Sequence, residues 1–186
     1  KLIYPEARQL IEAHRAASHS IAIISSATPY QVLPAATDLG IEHVYATDLE
    51  VEDGQFTGGV VQPTCFGIGK VHAAERFLAQ QGGDLENCFF YSDSIDDIDL
   101  LETAGRPVVL NGSRELKKTA REAGWPMADF RSRGNATGSQ VVRSLAATGS
   151  LVGSFMMGLP LYALSGSRRD SLNFSISLFA ETASAL

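Results

Sequence analysis

Short apolar runs that alternate with helical patterns constrain the fold of this chain more than any other feature. Three such runs, Ile21–Ile24, Cys88–Tyr91 and Val108–Leu110, are rich in β-branched or aromatic residues. Runs that are apolar at every position are typical of strands buried on both faces of a parallel sheet. Because each run is followed by a helical pattern, right-handed crossovers are expected. The sequence therefore predicts an α/β fold with a doubly wound parallel sheet.

Residue periodicity and turn chemistry predict the remaining elements. Asp53-Gly54 separates two alternating runs and predicts a small β-hairpin over residues 49–60. His43–Thr47 is predicted to be a further strand. Apolar residues at helical spacing predict helices over 5–17, up to Leu39, from Lys70 onwards, over 95–104 and over 114–123.

The composition changes after residue 128, and this change predicts the domain organisation. Residues 1–128 are expected to form the α/β core, and the polar, glycine-rich residues 129–142 a linker. Residues 143–186 are expected to form an apolar helical segment. Its part Leu145–Leu164 is long enough to span a bilayer, so a spanning, an interfacial and a buried connecting helix all remain open.

Charge and cysteine usage exclude several classes of function. The formal net charge is -6 and no basic run is present, so nucleic acid is not an expected partner. Cys65 and Cys88 do not form a CxxC pair and the histidines are scattered, which argues against a zinc site. Two reduced thiols are typical of a cytoplasmic protein, with membrane association through residues 143–186 left open.

The densest acidic segment follows the second apolar run. Asp93, Asp96, Asp97 and Asp99 fall within seven residues at a predicted strand end. A hard divalent cation is one reason to gather carboxylates in this way, and carboxylates, waters and phosphate suit Mg²⁺. The alternative is an acidic helix start, because aspartates favour the first turn through capping and the helix dipole.

Two further polar residues are expected at the same edge of the sheet. Ser25 ends the first apolar run, and Lys70 stands at the start of a predicted helix. Ligands of doubly wound sheets bind beyond the carboxyl ends of the strands. Each residue alone has an ordinary explanation, since Ser25 is also a plausible helix cap and Lys70 does not belong to a Walker motif.

The combination of these residues resembles motifs II, III and IV of the haloacid dehalogenase superfamily. Those motifs are a strand ending in Ser25, then Lys70, then Ser92-Asp93-Ser94-x-x-Asp97, and the likeness covers residues 3–128. The hairpin, the Tyr-Ser-Asp-Ser turn and the following Ala-Gly-x-Pro-Val strand look like the phosphoserine-phosphatase-like branch, subfamily IB. Residues 143–154 resemble the join in fusions to a 1-acylglycerol-3-phosphate acyltransferase.

The resemblance implies a magnesium-dependent phosphomonoester hydrolase that acts on a small phosphorylated metabolite through an aspartyl-phosphate intermediate. In that family Ser25 would hydrogen-bond the phosphoryl group, with Ser26 beside it, and Lys70 would neutralise the group. Asp93 would bind Mg²⁺, and Asp97 would support the metal site or orient Lys70. Asp96 and Ser94 would support the same turn.

The first motif of that superfamily, an Asp-x-Asp at the end of the central strand, has no counterpart here. Asp97-Ile98-Asp99 has the spacing but lies in a helical pattern. We therefore expect that the chain is a fragment whose nucleophilic strand would lie between Ile21–Ile24 and Cys88–Tyr91. Alone it is expected to show little turnover, and two unpaired strand edges would favour aggregation. An accessory domain of a bifunctional acyltransferase in phospholipid synthesis and a non-catalytic phosphate-binding module remain alternatives.

Overall fold

The computed structural model describes residues 3–130, 158–160 and 175–182. The helices in these ranges are α1 (Pro5–Ala16), α2 (Pro29–Leu39), α3 (Ile68–Gln81), α4 (Ile98–Thr103) and α5 (Arg114–Ala123). The strands are β1 (His19–Ser25), β2 (His43–Tyr45), β3 (Leu49–Glu52), β4 (Gln55–Val60), β5 (Phe89–Ser92), β6 (Arg106–Leu110), β7 (Met127–Ala128), β8 (Gly158–Pro160) and β9 (Ser175–Thr182).

The predicted α/β architecture is confirmed, with helices alternating with strands along residues 3–130. The main sheet has the order β2-β1-β9-β5-β6-β7, with β8 also paired to β9. The pairs β1–β2, β5–β6 and β6–β7 are parallel. The hairpin of β3 and β4 forms a separate two-stranded sheet, and its turn residues Asp53 and Gly54 both have positive φ, as the Asp-Gly signal predicts.

The predicted helical elements are confirmed, with small differences at their ends. The helix expected from Lys70 begins two residues earlier, at Ile68, after Gly67 with a φ of 51°. The helix expected over 95–104 is divided into a 3₁₀ turn over Ile95–Asp97 and α4. Such short 3₁₀ turns are common at helix N-termini, where the first backbone N–H groups have no helical partner.

The sheet is mixed rather than wholly parallel, because β9 runs antiparallel to both β1 and β5. This strand corrects two expectations. Residues 175–182 form a strand and not part of an apolar helix, and β1 and β5 do not have unpaired edges on the sides that face each other. The physical reason is that every buried N–H and C=O of a strand needs a partner, and β9 supplies those partners on both sides.

The spanning-helix prediction for Leu145–Leu164 falls largely outside the described residues, of which only Gly158–Pro160 belong to it, and these form β8. Among the helices that the structure describes, none combines the length and the apolar character that a membrane crossing requires. The linker and the domain boundaries stay predictions.

A pair of histidines, one buried and one half-buried, joins α1 to the sheet. His14 is fully buried, and its Nδ1 lies 2.9 Å from Nδ1 of His19 on β1. The His14 ring meets the rings of Phe89 and Tyr91 edge-on at centroid distances of 6.3 Å. Burial, with a smaller effect from His19, lowers the pKa of His14 well below its ordinary value of 6.5. The folded protein therefore holds this imidazole in its neutral form.

Acid is expected to destabilise the fold through His14. Below pH 6.5 the unfolded chain takes up a proton that the folded chain excludes, so stability is fully present above pH 6.5 and falls as the pH decreases. The expected slope is up to about 1.4 kcal/mol per pH unit for this group. Urea unfolding between pH 8 and pH 5 measures it. The slope should decrease in His14→Leu and stay unchanged in His72→Gln, which alters an exposed histidine; equal slopes in all three proteins would contradict the assignment.

Candidate functional site

The polar residues singled out in the sequence gather at one edge of the main sheet. Ser25 is the last residue of β1, and Asp93 directly follows β5. Because β1 and β5 are both antiparallel to β9, they run in the same direction and their carboxyl ends meet at the same edge. One strand separates them, so their backbones lie about 10 Å apart. Lys70, in the first turn of α3, contacts the same edge through its ion pair with Asp97, which lies in the 3₁₀ turn after β5.

A buried ion pair forms the centre of this edge. Lys70 and Asp97 each have a side-chain exposure of 1%, and Lys70 Nζ lies 2.5 Å from Asp97 Oδ1. The other oxygen of Asp97 accepts a hydrogen bond from Ser92 Oγ at 2.5 Å. The ion pair orients the Lys70 ammonium, which is one of the two roles expected for Asp97, and support of a metal site by Asp97 stays a prediction.

The hydroxyl of Ser25, at the end of β1, is fully buried. Ser25 Oγ accepts a hydrogen bond from the backbone N–H of Ala27 at 3.2 Å, and Ser26 beside it is half-buried. The carbonyl of Ala27 accepts a hydrogen bond from the N–H of Thr47 at 3.0 Å. The loops after β1 and β2 are thereby tied together beneath the edge.

Cys65 connects the same two loops to the segment that precedes α3. Its N–H donates to Thr47 Oγ1 at 3.1 Å, and its thiol donates to the carbonyl of Tyr45 at 3.6 Å. The backbone N–H of Ser25 donates to the Cys65 sulfur. Burial raises the pKa of the Cys65 thiol to about 11, although the nearby Lys70 ammonium and the Ser25 N–H act in the opposite direction. At neutral pH this sulfur is therefore a protonated thiol.

The aspartates of the acidic turn after β5 differ in their exposure and in their hydrogen bonds. Ser94 Oγ accepts the N–H of Asp96 at 3.2 Å and donates to Asp96 Oδ2 at 3.1 Å, so Ser94 caps the 3₁₀ turn and the Asp96 carboxylate bonds back to this cap. Asp96 is exposed, whereas Asp93 is half-buried at the strand end. The backbone carbonyl of Asp93 accepts the N–H of Ser113, which anchors the turn to the loop after β6.

The donors at this edge fit Mg²⁺ only as an ion shared with a ligand. Asp93 places one carboxylate there, and among the residues of the described ranges no group of three metal-binding side chains is assembled. Mg²⁺ commonly keeps several waters and is held by one or two carboxylates together with substrate phosphate. Asp93 with a phosphate group matches that pattern, and a site built wholly from protein ligands does not.

Two residues that position this site were not assigned to it from the sequence, and a third, Ser92, was quoted in motif IV without a role. Thr47, Cys65 and Ser92 each bond to a loop or side chain of the edge. Ser92 and Thr47 carry a weak signal, because both are hydroxyl residues at or just after the end of a strand. Cys65 carries none, since its partners belong to distant parts of the chain and are brought to it only by folding.

Comparison with known proteins identifies the family of this chain. The family model described as haloacid dehalogenase-like hydrolase matches residues 1–102. A protein of Mycobacterium tuberculosis named as a probable phosphatase is 37% identical over 169 residues, which cover 88% of this chain and 58% of that protein. The chain thus spans less than two thirds of the length of this relative.

Two more relatives carry more specific names. The phosphoserine phosphatase SerB1 of Mycobacterium tuberculosis is 36% identical over 130 residues, covering 69% of this chain and 42% of the relative. A histidinol-phosphatase of Neisseria meningitidis is 34% identical over 133 residues, covering 69% of this chain and 60% of the relative.

A crystal structure with a similar fold has been determined. The crystal structure of a probable phosphoserine phosphatase from Vibrio cholerae superposes with a TM-score of 0.61 at 20% identity, covering 77% of this chain and 42% of that one. At this identity the likeness shows the fold alone. The matched family model, which covers more than half of the sequence, shows that the chain belongs to the haloacid dehalogenase-like hydrolases.

Proposed function

We propose that this chain carries the phosphate-binding and metal-binding part of a magnesium-dependent phosphomonoester hydrolase. The observation that carries the proposal is the buried Lys70–Asp97 pair at the edge of the sheet where β1 ends in Ser25 and β5 is followed by Asp93. A lysine ammonium has three donors, and Asp97 engages one of them while holding the group in place. A phosphoryl group at this edge would meet an oriented cation and the Ser25 hydroxyl.

The chemistry that such an edge supports is charge stabilisation during phosphoryl transfer. In these reactions the protein contributes mainly by positioning the group and by neutralising charge on its equatorial oxygens. Lys70 would provide a fixed positive charge, and Ser25 a neutral donor. Bound at Asp93, Mg²⁺ would supply further charge neutralisation. Attack by an aspartate to form an aspartyl-phosphate belongs to this proposal as the family expectation.

The substrate class proposed is a small phosphorylated metabolite. Relatives named phosphoserine phosphatase and histidinol-phosphatase support this class. The acyltransferase fusion and membrane association stay predictions, because residues 143–154 lie outside the described ranges. No observation on the described residues favours either of them over the phosphatase proposal.

Binding of inorganic phosphate tests this proposal directly. Calorimetric titration of the chain with phosphate is expected to show binding that depends on added Mg²⁺. Ser25→Ala should weaken phosphate binding about tenfold to about a hundredfold, because a hydrogen bond to a charged group contributes about 1.5–3 kcal/mol. Asp93→Asn should remove the dependence on Mg²⁺, since it removes the carboxylate charge at the end of β5.

Asp96→Asn is the matched control, because it makes the same chemical change at an exposed residue whose carboxylate bonds to Ser94 within the same turn. It should leave both phosphate affinity and Mg²⁺ dependence unchanged. Equal effects of Asp93→Asn and Asp96→Asn, or no phosphate binding by the unchanged chain, would contradict the proposal.

With p-nitrophenyl phosphate and Mg²⁺ we expect little or no turnover, because no Asp-x-Asp follows a strand in the printed sequence. Substantial hydrolysis would show that another residue serves as the nucleophile.

A further inference from the structure

Cys65 lies where three loops of the candidate site converge. Its thiol receives the N–H of Ser25 from the end of β1 and donates to the carbonyl of Tyr45 at the end of β2. Its own N–H donates to Thr47 Oγ1 in the loop after β2. Cys65 is 4% exposed, so these bonds lie within the protein, shielded from water. Cys65 thus connects the segment before α3 to both neighbouring strand ends.

The segment between Cys65 and Lys70 is short and closely packed. The N–H of Gly69 donates to the carbonyl of Phe66 at 2.9 Å, and that of Lys70 to Gly67 at 2.9 Å. A Cβ atom at Gly69 would lie 1.9 Å from the carbonyl oxygen of Thr64, so the first turn of α3 rests directly on the preceding turn. A displacement of Cys65 would therefore move the backbone that carries Lys70.

We propose that Cys65 is a positioning residue, whose thiol and backbone N–H set the separation between Ser25 and Lys70 so that both contact one phosphoryl group. The inference rests on the proposed function and deepens it. The thiol is not a nucleophile in this assignment, because burial keeps it protonated at neutral pH. Cys65 acts through its hydrogen bonds, which hold the turn after β1 and the start of α3 in fixed positions relative to the end of β2.

Two substitutions at Cys65 separate positioning from a general effect on stability. Cys65→Ala removes the sulfur that accepts from Ser25 and donates to Tyr45, and we expect phosphate affinity in the presence of Mg²⁺ to fall about tenfold. Cys65→Ser keeps a donor and an acceptor, and its phosphate affinity is expected to stay within about threefold of the unchanged chain. The dependence of phosphate binding on Mg²⁺ should be retained in both variants, because the carboxylate of Asp93, which directly follows β5, is unchanged.

Cys88→Ala is the matched control. Cys88 is equally buried and its thiol bonds to the carbonyl of Asp84, but it precedes β5 at the opposite edge of the sheet. This variant should lose stability in a thermal melt without losing phosphate affinity. If Cys65→Ala binds phosphate as well as the unchanged chain, or if Cys88→Ala weakens phosphate binding equally, the positioning role is overturned.

Failure of the proposed function has a different signature. If the unchanged chain binds no phosphate, that function fails, and amide exchange then decides the geometry at Cys65. The Ser25 amide hydrogen should exchange faster in Cys65→Ala than in the unchanged chain. In Cys65→Ser its exchange rate should return to that of the unchanged chain. Exchange at Ser25 that is identical in all three proteins would overturn the positional assignment.

Discussion

Replacing Lys70 by methionine is expected to destabilise the protein by about 3–5 kcal/mol, the loss typical of removing one partner from a buried ion pair. Both side chains of the Lys70–Asp97 pair are 99% shielded from solvent, and Asp97 also holds Ser92. Without the ammonium, the Asp97 carboxylate would be left in the interior with its charge uncompensated. A whole domain is stable by only about 5–15 kcal/mol, so this change removes a large part of its stability. Urea unfolding at pH 7 measures the effect.

Two further variants show whether the missing charge is the cause. The double variant Lys70→Met/Asp97→Leu removes both charges and should recover most of the lost stability, since apolar replacement of a buried pair is often neutral or stabilising. Lys118→Met is the matched control, because Lys118 forms an ion pair with Glu122 in which the two side chains are 75% and 68% exposed. Its expected effect is within about 0.5 kcal/mol. This account would be refuted if Lys70→Met lost no more stability than Lys118→Met. It would also be refuted if the double variant were no more stable than Lys70→Met.

Proline at position 178 is expected to disrupt the centre of the sheet. Leu178 lies in β9 and is paired with Ile23 on β1 and with Tyr91 on β5. Proline has no N–H, so one bond of the ladder is lost and the carbonyl of a neighbouring strand loses its partner. The lost bond and the unsatisfied carbonyl together predict a loss of about 2–4 kcal/mol. Exposed edges on β1 and β5 should also make the variant prone to aggregation.

Leu178→Val is the control for this change, because it keeps the backbone N–H and is well suited to a strand. The unchanged chain and the valine variant should show one cooperative thermal transition, whereas Leu178→Pro should melt at a lower temperature and precipitate at a lower concentration. Similar melts for the proline and valine variants would mean that β9 does not contribute to the sheet in solution.

Much of the fold follows from local signals. Apolar runs with β-branched or aromatic residues predict β1, β5 and β6, and Asp53-Gly54 predicts the hairpin turn. These signals are sufficient because a strand buried on both faces must be apolar throughout, and a tight hairpin needs residues that tolerate positive φ. The prediction of an apolar helical segment over residues 143–186 is wrong where β9 forms. Residues 175–182 alternate serine with apolar residues at their start, but the preceding uncharged stretch favoured a helix.

The gathering of Ser25, Lys70 and Asp93 at one sheet edge was determined by the sequence, since in an alternating α/β fold the residues that follow parallel strands come to the same side. The resemblance left two roles open for Asp97, and its ion pair with Lys70 is seen only in the tertiary structure. Tertiary structure alone decided that Cys65 and Thr47 join the surrounding loops and that β9 enters the sheet antiparallel. The reason is physical: periodicity along the chain reports which side of an element is buried, whereas the partner of a buried charge, thiol or strand edge depends on residues far away in sequence. Those partners leave no local pattern, because any segment that brings a matching donor or acceptor can satisfy them.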